Sequence, residues 1–154
     1  MIRPEQAEDQ VAIEALLNHA FGPGRFSKVS ERVREFATPR RDLSFCAWAN
    51  DQVVGIVRLW QVRIGGQDCL FLGPLAVHRD LRESGTGSQL VEQACLAAEG
   101  AGWPLILLVG DEPYFRRFGF SARETAGVQM PGPVNMSRLL ARGASGPLSG
   151  PVTA

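Results

Sequence analysis

The sequence predicts a single α/β domain: a central mixed, mostly antiparallel twisted sheet flanked by about four helices. Three observations carry this. Two hairpin turns, Asn50-Asp51 and Gly65-Gly66, join three strand-like segments into an antiparallel meander. A helical stretch from Ser88 to Glu99 then separates the last of them from the apolar run Leu105 to Val109. Such a strand–helix–strand crossover is long enough for parallel pairing. Finally, 154 residues without an internal repeat or linker fit one core.

The bulk numbers exclude several classes. Sixteen basic residues balance sixteen acidic ones, so nothing draws the chain broadly to nucleic acid or a membrane surface. Cys46, Cys69 and Cys95 are an odd set at unrelated spacings, inside strands or a helix. They argue against a disulfide framework or a metal site and fit a reducing cytoplasm. Arg3, Pro4 and Glu5 precede any apolar run, so no signal peptide is expected, and no segment approaches a membrane span.

In chain order, Asp9 is expected to cap a helix from Gln10 to about Ala20, with Val11, Ala12, Ala15, Leu16 and Ala20 on its apolar face. Gly22, Pro23 and Gly24 stop it. Ser27 or Ser30 then caps a short helix with Val29, Val33 and Phe36 on one face, ending before Pro39. Its basic residues Arg25, Lys28, Arg32 and Arg34 form either a solvated face or a contact for an acidic ligand. Leu43 to Ala49, Val53 to Ile64 and Cys69 to Val77 read as the three meander strands. Gly73-Pro74 inside the last one marks a bulge, because proline cannot donate to the ladder. The crossover helix buries Leu90, Val91, Ala94, Cys95, Ala98 and Ala101, and Leu105 to Val109 is apolar throughout, as in a strand covered on both faces. Pro113 opens a short helix that Gly119-Phe120 ends. Val128 to Met130 and Met136 to Ala141 are weak strands, and residues 143–154, rich in Gly, Pro and Ser, read as a loop or poorly ordered tail beyond a domain of residues 1–142.

The chemistry concentrates between Leu72 and Leu90. Strand residues Leu75, Ala76 and Val77 lead through Arg82, Glu83, Ser84, Gly85, Thr86 and Gly87 into the helix at Ser88. A helix N-terminus has unsatisfied N–H groups and partial positive charge, and glycines let such groups converge on an anion. The expected ligand is a phosphate or diphosphate. Gly85-x-Gly87 lacks a third glycine for a dinucleotide fingerprint, since Leu90 stands there, and no Gly-Lys-Ser/Thr follows.

Arg82-x-x-Gly85-x-Gly87 after Leu75-Ala76-Val77 resembles the acetyl-CoA motif of the GNAT superfamily of N-acetyltransferases. A second similarity lies in Leu107 to Phe120, which resembles that family's fifth strand, fourth helix and closing Gly-Phe. Ile2-Arg3-Pro4 fits its opening strand. The resemblance implies a GNAT-like fold in which two parallel strands splay apart around acetyl-CoA. The main chain of Leu75 to Val77 would then bind the pantetheine arm, and residues 82 to 88 the diphosphate. It implies acetyl transfer to a primary amine of a small molecule or peptide, with CoA as product, no metal, no nucleic acid and no membrane partner. A homodimer stays open, with Trp48 and Trp60 as core or interface.

The family often uses a tyrosine, five residues before the phenylalanine of Gly-Phe, as acid for the leaving thiolate. Here that position holds Phe115, and Tyr114 stands one residue earlier, about 100° around a helix. Either Tyr114 reaches the sulfur or water is the acid. Asp111 is a candidate base or an N-cap, with Glu112 beside it. His78, Arg79, Arg116 and Arg117 are weaker candidates for catalysis or phosphate contact. Phe115 also leaves a second reading open, a non-catalytic acyl-CoA-binding or sensor module.

Overall fold

The computed structural model describes all residues except 23, 26 and 27. Its strands are β1 (Ile2–Pro4), β2 (Thr38–Pro39), β3 (Phe45–Ala49), β4 (Gln52–Ile64), β5 (Gln67–Val77), β6 (Ile106–Val109), β7 (Gly127–Gln129), β8 (Leu139–Arg142) and β9 (Ser149–Thr153). Four α-helices accompany them: α1 (Gln10–Phe21), α2 (Val29–Phe36), α3 (Thr86–Gly100) and α4 (Glu112–Phe115). The sheet runs β1-β3-β4-β5-β6-β8. It is mixed: β5 and β6 pair in parallel, and the other neighbours along that path are antiparallel. Among the described residues no helix is long and apolar enough to cross a membrane.

Strand β4 is the spine. One edge pairs with β5 along its length. The other takes β3, then β2 at Trp60 and Gln61, then β9 at Arg63 and Ile64. Period-2 alternation sends Val57 and Leu59 to one face, beneath α3, and Ile56, Val62 and Ile64 to the other. Crossover helix α3 buries Leu90, Val91, Ala94, Cys95 and Ala98 as its periodicity requires, whereas Ala101 lies beyond its end and is exposed. It begins at Thr86, two residues before Ser88.

Three local expectations change. Helix α1 buries Ile13, Leu16 and Leu17, and leaves Val11 exposed. Both faces have helical spacing, and the one with the larger aliphatic side chains wins the core. Asp9 does occupy the N-cap position, but its carboxylate accepts the Gln6 amide at 2.9 Å in the preceding 3-10 turn instead of capping α1. Ser30 sits inside α2, whose N-cap is Lys28, and Ser27 lies outside the described residues.

The tail is a larger correction. Residues 149–153 form β9, which pairs antiparallel with β4 and parallel with β7. Leu148 and Val152 are buried in the core on that face. Two of the tail's glycines serve close approach instead: Gly150 has a φ of +107°, and a Cβ there would lie 2.6 Å from the Gly65 Cα, while one on Gly143 would overlap the Pro104 carbonyl. Composition read as disorder is therefore the signature of two backbones in contact.

Burial of an aliphatic side chain contributes about 1.5–3 kcal/mol, and 1 kcal/mol moves the midpoint of a protein this size by about 2–4 °C. Deleting residues 148–154 is thus expected to lower the thermal midpoint by roughly 10 °C, measured by circular dichroism. A poorly ordered tail would be removed with no change.

Candidate functional site

The parallel ladder between β5 and β6 is registered only at Leu70–Ile106 and Phe71–Leu107. Beyond it β5 continues for six residues, to Val77, with no partner on that edge. The strands part where Gly73 and Pro74 face the single residue Arg58 of β4, a bulge that shifts the register between Val57 and Leu59. The Trp60 indole donates to the Gly73 carbonyl. Arg58 is buried and held by Glu5, with Nε to Oε1 at 3.0 Å, and by Gln10.

After the bulge β5 stays on β4. The His78 amide donates to the Val54 carbonyl at 2.7 Å, and Val77, Ala76 and Leu75 register with Gly55, Ile56 and Val57. Antiparallel bonding alternates, so Ala76 exchanges bonds with Ile56, while the N–H and C=O groups of Leu75 and Val77 point into the gap. Of the three expected backbone groups, two are available and the middle one is used by the sheet.

The connection from β5 to α3 builds the other half. Glu83 and Gly85 have φ of 72° and 87°, so the chain turns through left-handed conformations immediately before the helix. Gly85 is the N-cap of α3 and its carbonyl accepts the Gln89 amide at 3.0 Å. Ser84 Oγ contacts Thr86 Oγ1 at 2.8 Å and accepts the Thr86 amide at 3.3 Å. The amides of Gly87 and Ser88, at the second and third helical positions, have no protein acceptor among the described residues. Arg82 is exposed in the same loop. The start of α3 thus presents main-chain donors and the positive end of the helix dipole, the features that suit an anion.

Tyr114 belongs to this half. Its hydroxyl lies 3.2 Å from Ser88 Oγ, and a Cβ on Gly87 would sit 3.4 Å from it. Phe115 instead faces the cleft on the far side of the gap, packed so tightly on Gly110 that a Cβ there would overlap its ring. The residue-by-residue offset seen in the sequence therefore has a spatial meaning: hydroxyl on the α3 side, bare ring in the cleft.

That cleft has a volume of about 560 Å³, within the usual range for small-ligand sites. Gly73, Pro74 and Leu75 of β5 line it, together with Phe115 and Asp111 and with Arg25, Lys28 and Arg34. Asp111 stands at the N-cap of α4 without using its side chain there; it is exposed and lies 3.4 Å from Arg138 Nε. Glu112 is tied to the Ala122 amide at 2.6 Å. His78 stacks on His19 and its Nδ1 accepts the Asp80 amide, away from the cleft. Arg79 donates to His19, and Arg116 and Arg117 engage Glu112 and the Tyr114 carbonyl and ring. Arg138 and the segment 133–135 carry no signal in the sequence, yet they line the cleft as well. Burial pushes the Cys46 and Cys69 thiols up to about 12 and raises that of Cys95, so all three are unreactive core groups. Among the described residues no cluster could hold a metal ion.

Comparison with known proteins agrees with this geometry. Residues 40–122 match the family model described as "Acetyltransferase (GNAT) domain". An uncharacterized N-acetyltransferase YhbS of Escherichia coli K12 is 32% identical over 125 residues, covering 78% of this chain and 72% of that protein. The crystal structure of E. coli YhbS in complex with CoA superposes with a TM-score of 0.79 at 28% identity, covering 99% of this chain and 87% of that one. A GNAT family acetyltransferase from Brucella melitensis in complex with acetyl-CoA gives 0.72 at 27% identity, covering 100% and 94%. Sequence, fold and the parted strands agree, and the chain belongs to the GNAT acetyltransferase family.

Proposed function

We propose that the protein moves the acetyl group of acetyl-CoA directly to a primary amine. The observation that carries this reading is the continuity of the gap: free amides of Leu75 and Val77 link the donor-rich start of α3 to the cleft. The diphosphate sits on the Gly87 and Ser88 amides within the loop from Arg82 to Ser88, and the pantetheine arm extends along β5. The thioester reaches the bulge, where the amine arrives from the cleft.

The amine nitrogen attacks the thioester carbonyl carbon, the C–S bond breaks, and the nitrogen gives up a proton. Charge that develops on the carbonyl oxygen is met by a β5 amide, a donor already oriented before reaction. The thiolate needs little help, since a free thiol has a pKa of about 8.5. Among the described residues Asp111 is the one carboxylate lining the cleft, and it is the group best placed to draw the ammonium and pass its proton to solvent. Because Tyr114 is bonded to Ser88 and Phe115 faces the acceptor side, we assign Tyr114 to holding the cofactor end of the site and water to protonating sulfur.

Three outcomes test this. Thiol release from acetyl-CoA is expected with some primary amines of a chemically broad panel, read by a thiol reagent against a flat background because the protein's own thiols are buried; no release with any amine overturns the reading. Gly87→Glu leaves room for its Cβ, 3.6 Å from Val77, but adds bulk and like charge to the diphosphate site. Calorimetry on the folded variant should show at least a roughly 100-fold loss of acetyl-CoA affinity. Tyr114→Phe should weaken cofactor binding a few-fold and change kcat by less than about tenfold. A fall of ~10²–10⁴, the usual contribution of a general acid, would make Tyr114 that acid.

A further inference from the structure

The acceptor cleft has a charge pattern that its general shape does not require. Arg25, Lys28, Arg34 and Arg138 line it, against the single carboxylate of Asp111. The acidic partners of two of those arginines stand behind the wall. Glu14, 2.6 Å from Arg25, and Glu31, 2.9 Å from Arg34, line an adjoining depression of about 180 Å³. The arginines separate the two spaces, so the carboxylates lie on one side and the cleft receives the cationic ends.

Arg34 is the sharpest case. Its side chain is only 11% exposed. Nε and Nη2 both donate to Glu31 Oε2, at 3.2 and 2.9 Å. That leaves Nη1, which has no protein acceptor among the described residues and would lie 3.3 Å from a Cβ on Gly73, at the bulge. Burial pulls the guanidinium below its ordinary value, more than Glu31 restores. A desolvated cation with donors unused gains most from a further anion. Lys28 stands nearby, its Nζ 5.0 Å from the Phe21 ring centroid. Arg32, on the same helix, points elsewhere and pairs with Glu35.

We infer that the acceptor is a small amine carrying an oxyanion, a carboxylate or phosphate-type group, a few bonds from its nitrogen, held by Arg34 with Lys28. The inference rests on the amine-acylation reading above. Spacing sets the few bonds. Arg34 Nη1 stands at Gly73, two residues before Leu75 on the bulged stretch, so an anion on Arg34 places an attached amine near the Leu75 amide and the thioester. A polyamine or a lysine side chain would meet four cationic side chains and, among the described residues, one carboxylate, Asp111, which is already paired with Arg138.

The test is thiol release by the full chain at saturating acetyl-CoA, with matched pairs: amino acids against their carboxamides, and aminoalkylphosphonates against the parent alkylamines. The anionic member is expected to have at least about tenfold higher kcat/KM, corresponding to about 1.4 kcal/mol. Arg34→Gln should erase the preference chiefly through KM, and Arg34→Lys should restore part of it. Because Arg34→Gln also removes the partner of Glu31, its fold is checked by acetyl-CoA affinity. Lys28→Gln at an exposed position should shift the preference in the same direction, and Arg32→Gln should leave it in place. Equal or better turnover of the uncharged or cationic members, or a preference that survives both the Arg34→Gln and Lys28→Gln changes, overturns the inference while amine acylation stands. Absence of release with every amine overturns amine acylation itself. Preference for carboxylates alone or phosphonates alone identifies the oxyanion.

Discussion

Everything in this site depends on two parallel strands that stop pairing. Had β5 and β6 continued past Phe71 and Leu107, the Leu75 and Val77 amides would be consumed by a ladder. Unpaired buried backbone is costly, so a sheet does not open without cause. Here the cause is local. Gly73 and Pro74 insert one extra residue opposite Arg58, and Trp60 and the Arg58–Glu5 pair fix the distorted stretch from the β4 side. The packing of Phe115 on Gly110 supports the other lip. The exposed groups are then useful ones, because the ligand completes the ladder that the protein leaves unfinished.

The same opening joins two chemically different spaces. On the α3 side, short side chains, a helix N-terminus and Tyr114 suit a large polyanion held by main chain. On the α1–α2 side, apolar floor residues and arginine ends surround a compact cleft. In the proposed reaction, acetyl-CoA would lie on the first side and the amine in the cleft, with the bulge between them. Such an arrangement converts a bimolecular encounter into an oriented one, worth effective molarities of ~10⁵–10⁸ M, so modest demands fall on acid–base groups.

The loop before α3, the helix itself and the bulge in β5 were legible in the sequence because local rules write them. Gly85 and Gly87, the apolar spacing of Leu90, Val91, Ala94, Cys95 and Ala98, and Gly73-Pro74 each act within a few residues of themselves. The lining of the cleft was not. Arg34, Gly73, Asp111, Phe115 and Arg138 come from five separate stretches, and only the tertiary fold shows that Arg32 turns away while Arg34 turns in. The phase of α1 failed for a related reason: two faces of the helix satisfy the same periodicity, and the neighbouring sheet decides between them. The C-terminal residues failed because small residues that permit close packing have the composition of a loop.

That last strand has a consequence for how the molecule assembles. β9 completes an edge of β4 with residues about 90 positions away along the chain. Contacts so remote in sequence carry a large loop-closure cost and slow the search for the native arrangement. Until they form, the lower part of β4 offers an open hydrogen-bonding edge at Arg63 and Ile64, the kind of template on which chains stick to one another. Arg63 and Asp68 pair 3.4 Å apart at that tip, and charged side chains on an open edge disfavour such pairing.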